Sequence, residues 1–410
     1  MPTYSIKVIE MKRRVVLISI ILLSIVAGGV YIKYQLKIKE LREAEQNFDT
    51  EWLLRESAEV PIKNKYNILV IANEGAEWQV GTYILTAAKQ LGWTAKLIKD
   101  SIIGHEKEVL QLKPDFVLYI KYGDGNLYKD LIFLPQLQNT KHYFFISIPI
   151  ASYSRQAKMD LYTSKTHRRK EEAIKELLTF ADGFLKTSKG SYAWLEEKAR
   201  RLGKPFYAIP WYPSPISALK QSSVEPKRLM YSGYNWDDLR SSDRYKSFYK
   251  LLANGVSAIF YGPKESWAEI GNAWGGYLST ESYIKAIQDN GICLILNSNL
   301  HLQSEAPSAR PFEAAANKCL MISDGMPFVK EHFGDSVLYI DHTKSAQEMY
   351  DQVKAHLDWI KAHPTEARKM VEKAHEIFLE KFDMGKQLKN IAHLHEKILL
   401  DERQKANKDK

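Results

Sequence analysis

Ser304-Glu305-Ala306-Pro307-Ser308-Ala309-Arg310-Pro311-Phe312-Glu313-Ala314-Ala315-Ala316-Asn317-Lys318-Cys319-Leu320-Met321-Ile322-Ser323-Asp324 holds, in order, a loop, a helix and a buried strand. Pro311 is suited to the first helical turn, where its missing amide costs no hydrogen bond. The apolar run at Cys319 to Ser323 is too short for a helix and has no polar alternation, as expected of a strand covered on both faces. Glu305 and Glu313 stand eight positions apart, one on the loop and one in the first helical turn. Amides at such a helix start would face a phosphate, and a carboxylate beside them can accept hydrogen bonds from sugar or ribose hydroxyls.

Outward from this stretch the same alternation continues in both directions. Leu229 to Ser232, Ala258 to Tyr261, Ile292 to Leu296, Cys319 to Ser323 and Ser336 to Ile340 read as strands with helices between them. Upstream, Asn67 to Ala72, Thr94 to Ile98, Phe116 to Ile120, Tyr143 to Ile148, Gly183 to Lys186 and Phe206 to Ile209 form a second such series, with a helix expected over Thr82 to Leu91. The segment Pro210-Trp211-Tyr212-Pro213-Ser214-Pro215 separates them, because proline removes amide donors and disfavours helix before it. The sequence thus predicts an α/β protein with two doubly wound, Rossmann-like lobes, at 61–216 and 217–383, and a cleft between the carboxyl ends of their sheets. Helical spacing continues from Ala367 to Phe378, and Asp383 is placed to cap a last helix running to about Leu400, within a terminal segment 384–410.

Ahead of the lobes, Val15 to Ile32 is a charge-free run of 18 residues behind Lys12, Arg13 and Arg14. It is just long enough to cross a hydrocarbon core, which makes 1–32 a tail and transmembrane anchor. The alternative is a cleaved signal peptide starting at Met11, with Ala27-Gly28-Gly29 as the small-residue site. Residues 33–60 are charged with scattered apolar positions and read as a helical stalk. With 58 basic and 49 acidic residues the chain carries +9, and 45% hydrophobic with 26% charged content excludes a disordered or collagen-like protein. Cys293 and Cys319, each in an apolar run, exclude a disulfide framework. Neither they nor His332 or His342 show zinc spacing, so no metal and no cofactor is expected. No Gly-x-Gly-x-x-Gly or Walker sequence points to a nicotinamide or ATP enzyme.

The C-terminal lobe from about Leu229 to Leu400 resembles the GT-B glycosyltransferases, especially the group of spore-maturation CgeB-like proteins and the larger family with a Glu-x7-Glu motif. The residues that carry this are Tyr231-Ser232-Gly233 with Arg240 downstream, Tyr261-Gly262, Leu296-Asn297, Arg310-Pro311-Phe312-Glu313-Ala314-Ala315-Ala316, and the helix Pro364 to Phe382. The resemblance implies a retaining sugar transfer from a nucleotide-sugar donor to a glycan or lipid-linked acceptor. By it, Glu313 holds the donor ribose, Glu305 approaches the transferred sugar, and Arg240 or Arg244 faces the diphosphate. Gly233, Asn297 and Arg310 join that donor-binding set. The family usually has glycine where Lys318 stands, so Asn317 is expected to take up a left-handed conformation.

In the N-terminal lobe, Asn73-Glu74-Gly75-Ala76-Glu77 follows the first strand on the cleft side, making Glu74 and Glu77 candidates for a base or an acceptor contact. Gly123-Asp124-Gly125 reads as a turn near the acceptor. Between Arg155 and Lys204 there are 13 Lys or Arg against 7 Asp or Glu, including His167-Arg168-Arg169-Lys170. This patch reads either as a solvated helix face or as a surface for anionic membrane lipids. No nucleic-acid module is present. The expectation is a membrane-anchored enzyme of polysaccharide biosynthesis with a cytoplasmic body; the alternative is a non-catalytic two-lobed sugar- or solute-binding protein, or a degenerate transferase.

Overall fold

The structure, a computed structural model, describes residues 28–33, 35, 36, 39, 40, 43, 44, 47–120, 137, 139–146, 175, 177–187, 192–217, 225–235 and 237–408. The chain divides into two units, Met1–Phe48 and Asp49–Lys410. In the first, residues 28–33 are helical, with Val30, Tyr31 and Ile32 exposed. Most of the anchor expected at Val15 to Ile32 lies outside the described residues, and among the described residues no helix is long and apolar enough to cross a membrane. Gly123-Asp124-Gly125 and His167-Arg168-Arg169-Lys170 also lie outside them.

The second unit contains both lobes. The N-terminal lobe has six strands: β1 (Asn67–Ala72), β2 (Thr94–Lys99), β3 (Phe116–Ile120), β4 (Lys141–Ile146), β5 (Gly183–Lys186) and β6 (Ala208–Pro210), in the spatial order β2-β1-β3-β4-β5-β6. All are parallel, with Val70 paired to Leu97 on one side and Leu118 on the other. Every residue of β3 is buried, as expected of a central strand of a parallel sheet. The C-terminal lobe has β7 (Arg228–Ser232), β8 (Ala258–Tyr261), β9 (Gly291–Ile295), β10 (Leu320–Ser323) and β11 (Leu338–Tyr339), also parallel, in the order β11-β10-β9-β7-β8.

In each sheet the crossover direction reverses once, between β1 and β3 and between β7 and β9. The loops leaving those strands part in opposite directions there and open the crevice where ligands of such sheets bind. The loops after β1, β7 and β9 all reach one cavity between the lobes.

Several boundaries differ from expectation. The helix that follows β1, α2 (Ala76–Gln90), begins six residues before Thr82. Its Gly81 obscured the pattern, since glycine costs a helix interior about 1 kcal/mol. The reason for glycine is contact: a Cβ there would lie 2.6 Å from Leu97 of β2. The expected stalk also ends earlier, because α1 (Trp52–Ala58) buries Leu53 and Ser57 in the N-terminal lobe. The left-handed residue behind Ala316 is Lys318 (φ 52°), while Asn317 stays at φ −100°, so the expectation for Asn317 is corrected. Asn317 is fixed instead by its side chain, which donates to the Glu313 carbonyl at 2.8 Å.

The last helix, α13 (Met384–Lys408), runs beyond Leu400 and crosses back to the N-terminal lobe. Met384, Leu388, Ile391, Leu394 and Ile398 are buried with Ile68, Val70 and Phe116, each worth about 1.5–3 kcal/mol by burial. Asp383 caps it through the Gly385 amide at 2.9 Å and binds the Ser217 amide at 3.0 Å. Buried Gln387 fastens the proline segment, accepting from the Tyr212 amide at 2.6 Å and donating to the Phe382 carbonyl at 2.9 Å. The chain therefore passes between the lobes twice, and the two passages are tied together.

Candidate functional site

The cavity measures about 710 Å³. Gly75, Gln79, Tyr83 and Thr187 line it from the N-terminal lobe; Gly233, Ser298, His301, Ser308, Arg310 and Glu313 line it from the C-terminal lobe. Tyr234 and Tyr277 also line it and are 56% and 76% exposed.

Glu313 is the central group. Its helix, α9 (Arg310–Ala316), carries proline in the first turn and buries Phe312 and Ala314 to Ala316 in the lobe core. Glu313, only 3% exposed, lines the cavity. Its Oε1 accepts hydrogen bonds from Gln79 Nε2 and Tyr83 Oη, both at 3.0 Å, and its Oε2 accepts one from Tyr283 Oη at 2.9 Å. Gln79 and Tyr83 belong to α2, so the carboxylate is held across the cleft by the other lobe. Burial raises its pKa; the Tyr283 and Tyr83 hydroxyls and the Arg310 charge act in the opposite direction. A buried carboxylate with three donors is costly to truncate, since each donor would lose its partner.

Arg310 donates from Nη1 to the Leu296 carbonyl at 2.9 Å and stacks its guanidinium 5.5 Å from the Tyr231 ring centre. Among the three arginines expected at the donor, it alone lines the cavity. Arg240 is 2% exposed, and its Nε donates to Asp237 Oδ2 at 2.5 Å. This arginine pairs with the carboxylate three residues earlier in the aromatic core beside Tyr231; burial lowers its pKa, and Tyr231 and Asp237 together more than offset that and raise it above the usual arginine value. Arg244 donates to the His342 and Lys344 carbonyls at 2.6 and 2.5 Å.

The other expected residues divide in the same way. Gly233 lines the cavity, with its amide on the Tyr261 carbonyl at 3.0 Å. Asn297 is buried behind it and donates its side-chain amide to Asp324 Oδ1 at 2.8 Å, tying the ends of β9 and β10. Glu305 is half-buried at the C-cap of α8 (Asn299–Ser304), in a left-handed conformation, and does not line the cavity. Glu74 is exposed and ion-paired with Lys99. Glu77 is buried, and its Oε2 accepts from the Asn73 amide at 3.1 Å, which fixes the β1 loop.

Sequence reasoning did not single out Gln79, Tyr83, Tyr283 or His301. Gln79 and Tyr83 stand one helical turn apart, a spacing that shows only in a helix running from Ala76, ahead of the expected Thr82. His301 lies in the short helix α8, between β9 and α9. Its Nδ1 is 2.8 Å from the Ala306 carbonyl. A carbonyl only accepts, so Nδ1 carries the proton. Burial, aided by the Arg310 charge, lowers its pKa to about 4, leaving a neutral imidazole near pH 7.

Two cavity hydroxyls, Thr187 Oγ1 and Ser308 Oγ, are buried without a partner among the described residues. Cys293 and Cys319 are buried free thiols, Sγ atoms 2.8 Å apart, in the core behind α9. Among the described residues no group of three or more His, Cys, Asp or Glu is placed to hold a metal ion.

Residues 243–393, within the C-terminal lobe and the start of α13, match the family described as glycosyl transferase-like. No curated relative matches the sequence. Among solved structures, a glycosyltransferase from Rickettsia africae ESF-5 is similar at 13% identity and a TM-score of 0.49, over 82% of this chain and 99% of that one. Anabaena Alr3699/HepE in complex with UDP is similar at 12% identity and a TM-score of 0.46, over 79% and 99%. Arabidopsis thaliana UGT89C1 complexed with UDP-L-rhamnose is similar at 12% identity and a TM-score of 0.40, over 80% and 98%. The chain is a two-lobed α/β protein with parallel sheets, and 243–393, in its C-terminal half, is the segment that matches the glycosyl transferase-like family.

Proposed function

We propose that this protein is a glycosyltransferase of the GT-B, CgeB-like kind, transferring a hexose from a nucleotide-sugar donor to a glycan or lipid-linked acceptor with retention. The observation that carries the reading is Glu313: a buried carboxylate lining the interlobe cavity beside the Arg310 cation, inside the segment that matches the transferase family. In this reading Glu313 accepts hydrogen bonds from the donor ribose, and Arg310 faces the diphosphate. A fixed cation there stabilises the negative charge that grows as the sugar leaves, which is the electrostatic work transfer requires. The hydroxyls of Thr187 and Ser308, without a partner among the described residues, suit a polyhydroxylated ligand. Tyr234 and Tyr277, exposed at the cavity, offer ring faces to a base.

The reading includes an N-terminal anchor at Val15 to Ile32 with the body in the cytosol, where nucleotide sugars are made. Protease access to the body from only the non-cytosolic face of sealed vesicles from a bacterial source would exclude that placement. A second reading, a sugar-binding protein or degenerate transferase, is favoured by one observation: among the described residues lining the cavity, Glu313 is the only carboxylate. Calorimetric titration with nucleoside diphosphates, alongside release of nucleoside diphosphate from nucleotide sugars, tests both. Binding without turnover selects the degenerate transferase, and absence of nucleotide binding removes the transferase reading and leaves the sugar-binding one.

A further inference from the structure

The segment between β9 and α9, which includes the short helix α8, brings the polar residues Ser298, His301 and Ser308 to the cavity. His301 and Ser308 line the cavity, whereas Glu305, midway between them, does not. His301 spends its Nδ1 proton on the Ala306 carbonyl, so the bond that folds the loop also fixes the tautomer and leaves Nε2 as an acceptor. Ser308 Oγ is buried without a partner among the described residues. An unpaired buried hydroxyl is costly unless a ligand or water completes it. Both residues line the same cavity as Arg310, which in the reading above faces the diphosphate.

Resting on the donor site proposed above, we propose that His301 and Ser308, in place of Glu305, read the hydroxyls of the transferred sugar, with His301 Nε2 accepting a hydrogen bond from one of them. The imidazole is suited to this because it stays neutral near pH 7; a cation there would have no lone pair to offer. The pair determines which sugar is taken and leaves affinity for the nucleotide to Glu313 and Arg310.

The test compares two ligands on the same protein by calorimetric titration: uridine diphosphate and UDP-glucose, or the diphosphate and its hexose conjugate that the wild type binds tightest in a panel of bases. His301→Asn keeps a donor near Nδ1 for the Ala306 carbonyl and removes Nε2; His301→Gln restores a polar group near Nε2. His301→Asn and Ser308→Ala are each expected to weaken the nucleotide sugar by about tenfold, while the diphosphate changes by less than about twofold. His301→Gln should recover part of the loss, and Glu305→Gln should leave the ratio of the two affinities unchanged. Equal weakening of both ligands by His301→Asn, or a changed ratio only in Glu305→Gln, overturns the subsite while the donor site stands. A wild type that binds neither ligand overturns the donor site and the subsite together.

Discussion

A nucleotide that uses Oε1 of Glu313 competes for it with the opposite lobe. Gln79 Nε2 and Tyr83 Oη both donate to that oxygen at 3.0 Å, and Gln79 Nε2 also lies 2.5 Å from Tyr83 Oη. Hydrogen bonds to a charged group contribute roughly 1.5–3 kcal/mol each. Ribose hydroxyls would replace bonds the free protein already makes, so Tyr83 competes with the ligand. Tyr83→Phe keeps the buried ring and deletes the competing hydroxyl. Gln79 remains and can shift toward the vacated position, so only about half of one bond, about 1 kcal/mol, is expected to reach the ligand, a roughly fivefold tighter Kd for nucleoside diphosphate. The substitution also removes a bond that holds the Glu313 pKa down. The comparison is therefore made at pH 8, where the carboxylate is more fully ionised. Titration calorimetry on wild type and variant reads the difference. A Kd that weakens tenfold would mean that Tyr83 stays in the occupied site and helps bind the nucleotide; an unchanged Kd would mean the cross-lobe bond carries no weight.

Arg310→Ala should weaken nucleoside diphosphate binding by at least about tenfold while nucleoside binding changes little, since only the former carries the charge the arginine faces. Arg240→Ala should lower stability by about 3–5 kcal/mol, read as a shifted urea midpoint, because it leaves Asp237 buried without its cation; a larger effect on diphosphate binding than on stability would return Arg240 to the site. His301 and His395 both have pKa values lowered by burial to about 4. The unfolded chain binds more protons between about pH 6.5 and 4, so this contribution is present above pH 6.5 and lost as pH falls through that window, about 2 kcal/mol per histidine from pH 7 to 5. Burial raises the Glu313 pKa, which acts with the opposite sign: its share falls as pH rises above the usual carboxylate range. Urea midpoints at pH 7 and 5 should therefore show net loss on acidification, and equal midpoints would contradict the burial of the histidines.

The sheets were legible because parallel strands buried on both faces leave uninterrupted apolar runs, as at Phe116 to Ile120 and Ala258 to Tyr261. What the runs do not encode is which body a helix covers. The stripe Met384, Leu388, Ile391 announces a buried face, but only the tertiary path shows it lying against the N-terminal sheet. The site was legible where one short segment builds it: Arg310 and Glu313 come from one helical turn, and both line the cavity. Arg240 and Arg244 were less so, because their roles depend on Asp237 and on the carbonyls of His342 and Lys344. Gln79 and Tyr83 were missed because their partner lies in the other lobe, over 200 positions away.

The central claim is that the interlobe cavity binds and turns over a nucleotide-activated sugar through Glu313. The direct measurement is release of nucleoside diphosphate from a panel of nucleotide sugars by wild type and by Glu313→Gln, which keeps the side-chain shape and removes the charge. The account predicts release from at least one donor by the wild type and its loss in Glu313→Gln, together with nucleoside diphosphate binding weakened by about 1.5–3 kcal/mol. Release by Glu313→Gln at the wild-type rate, with unchanged nucleotide affinity, would contradict it.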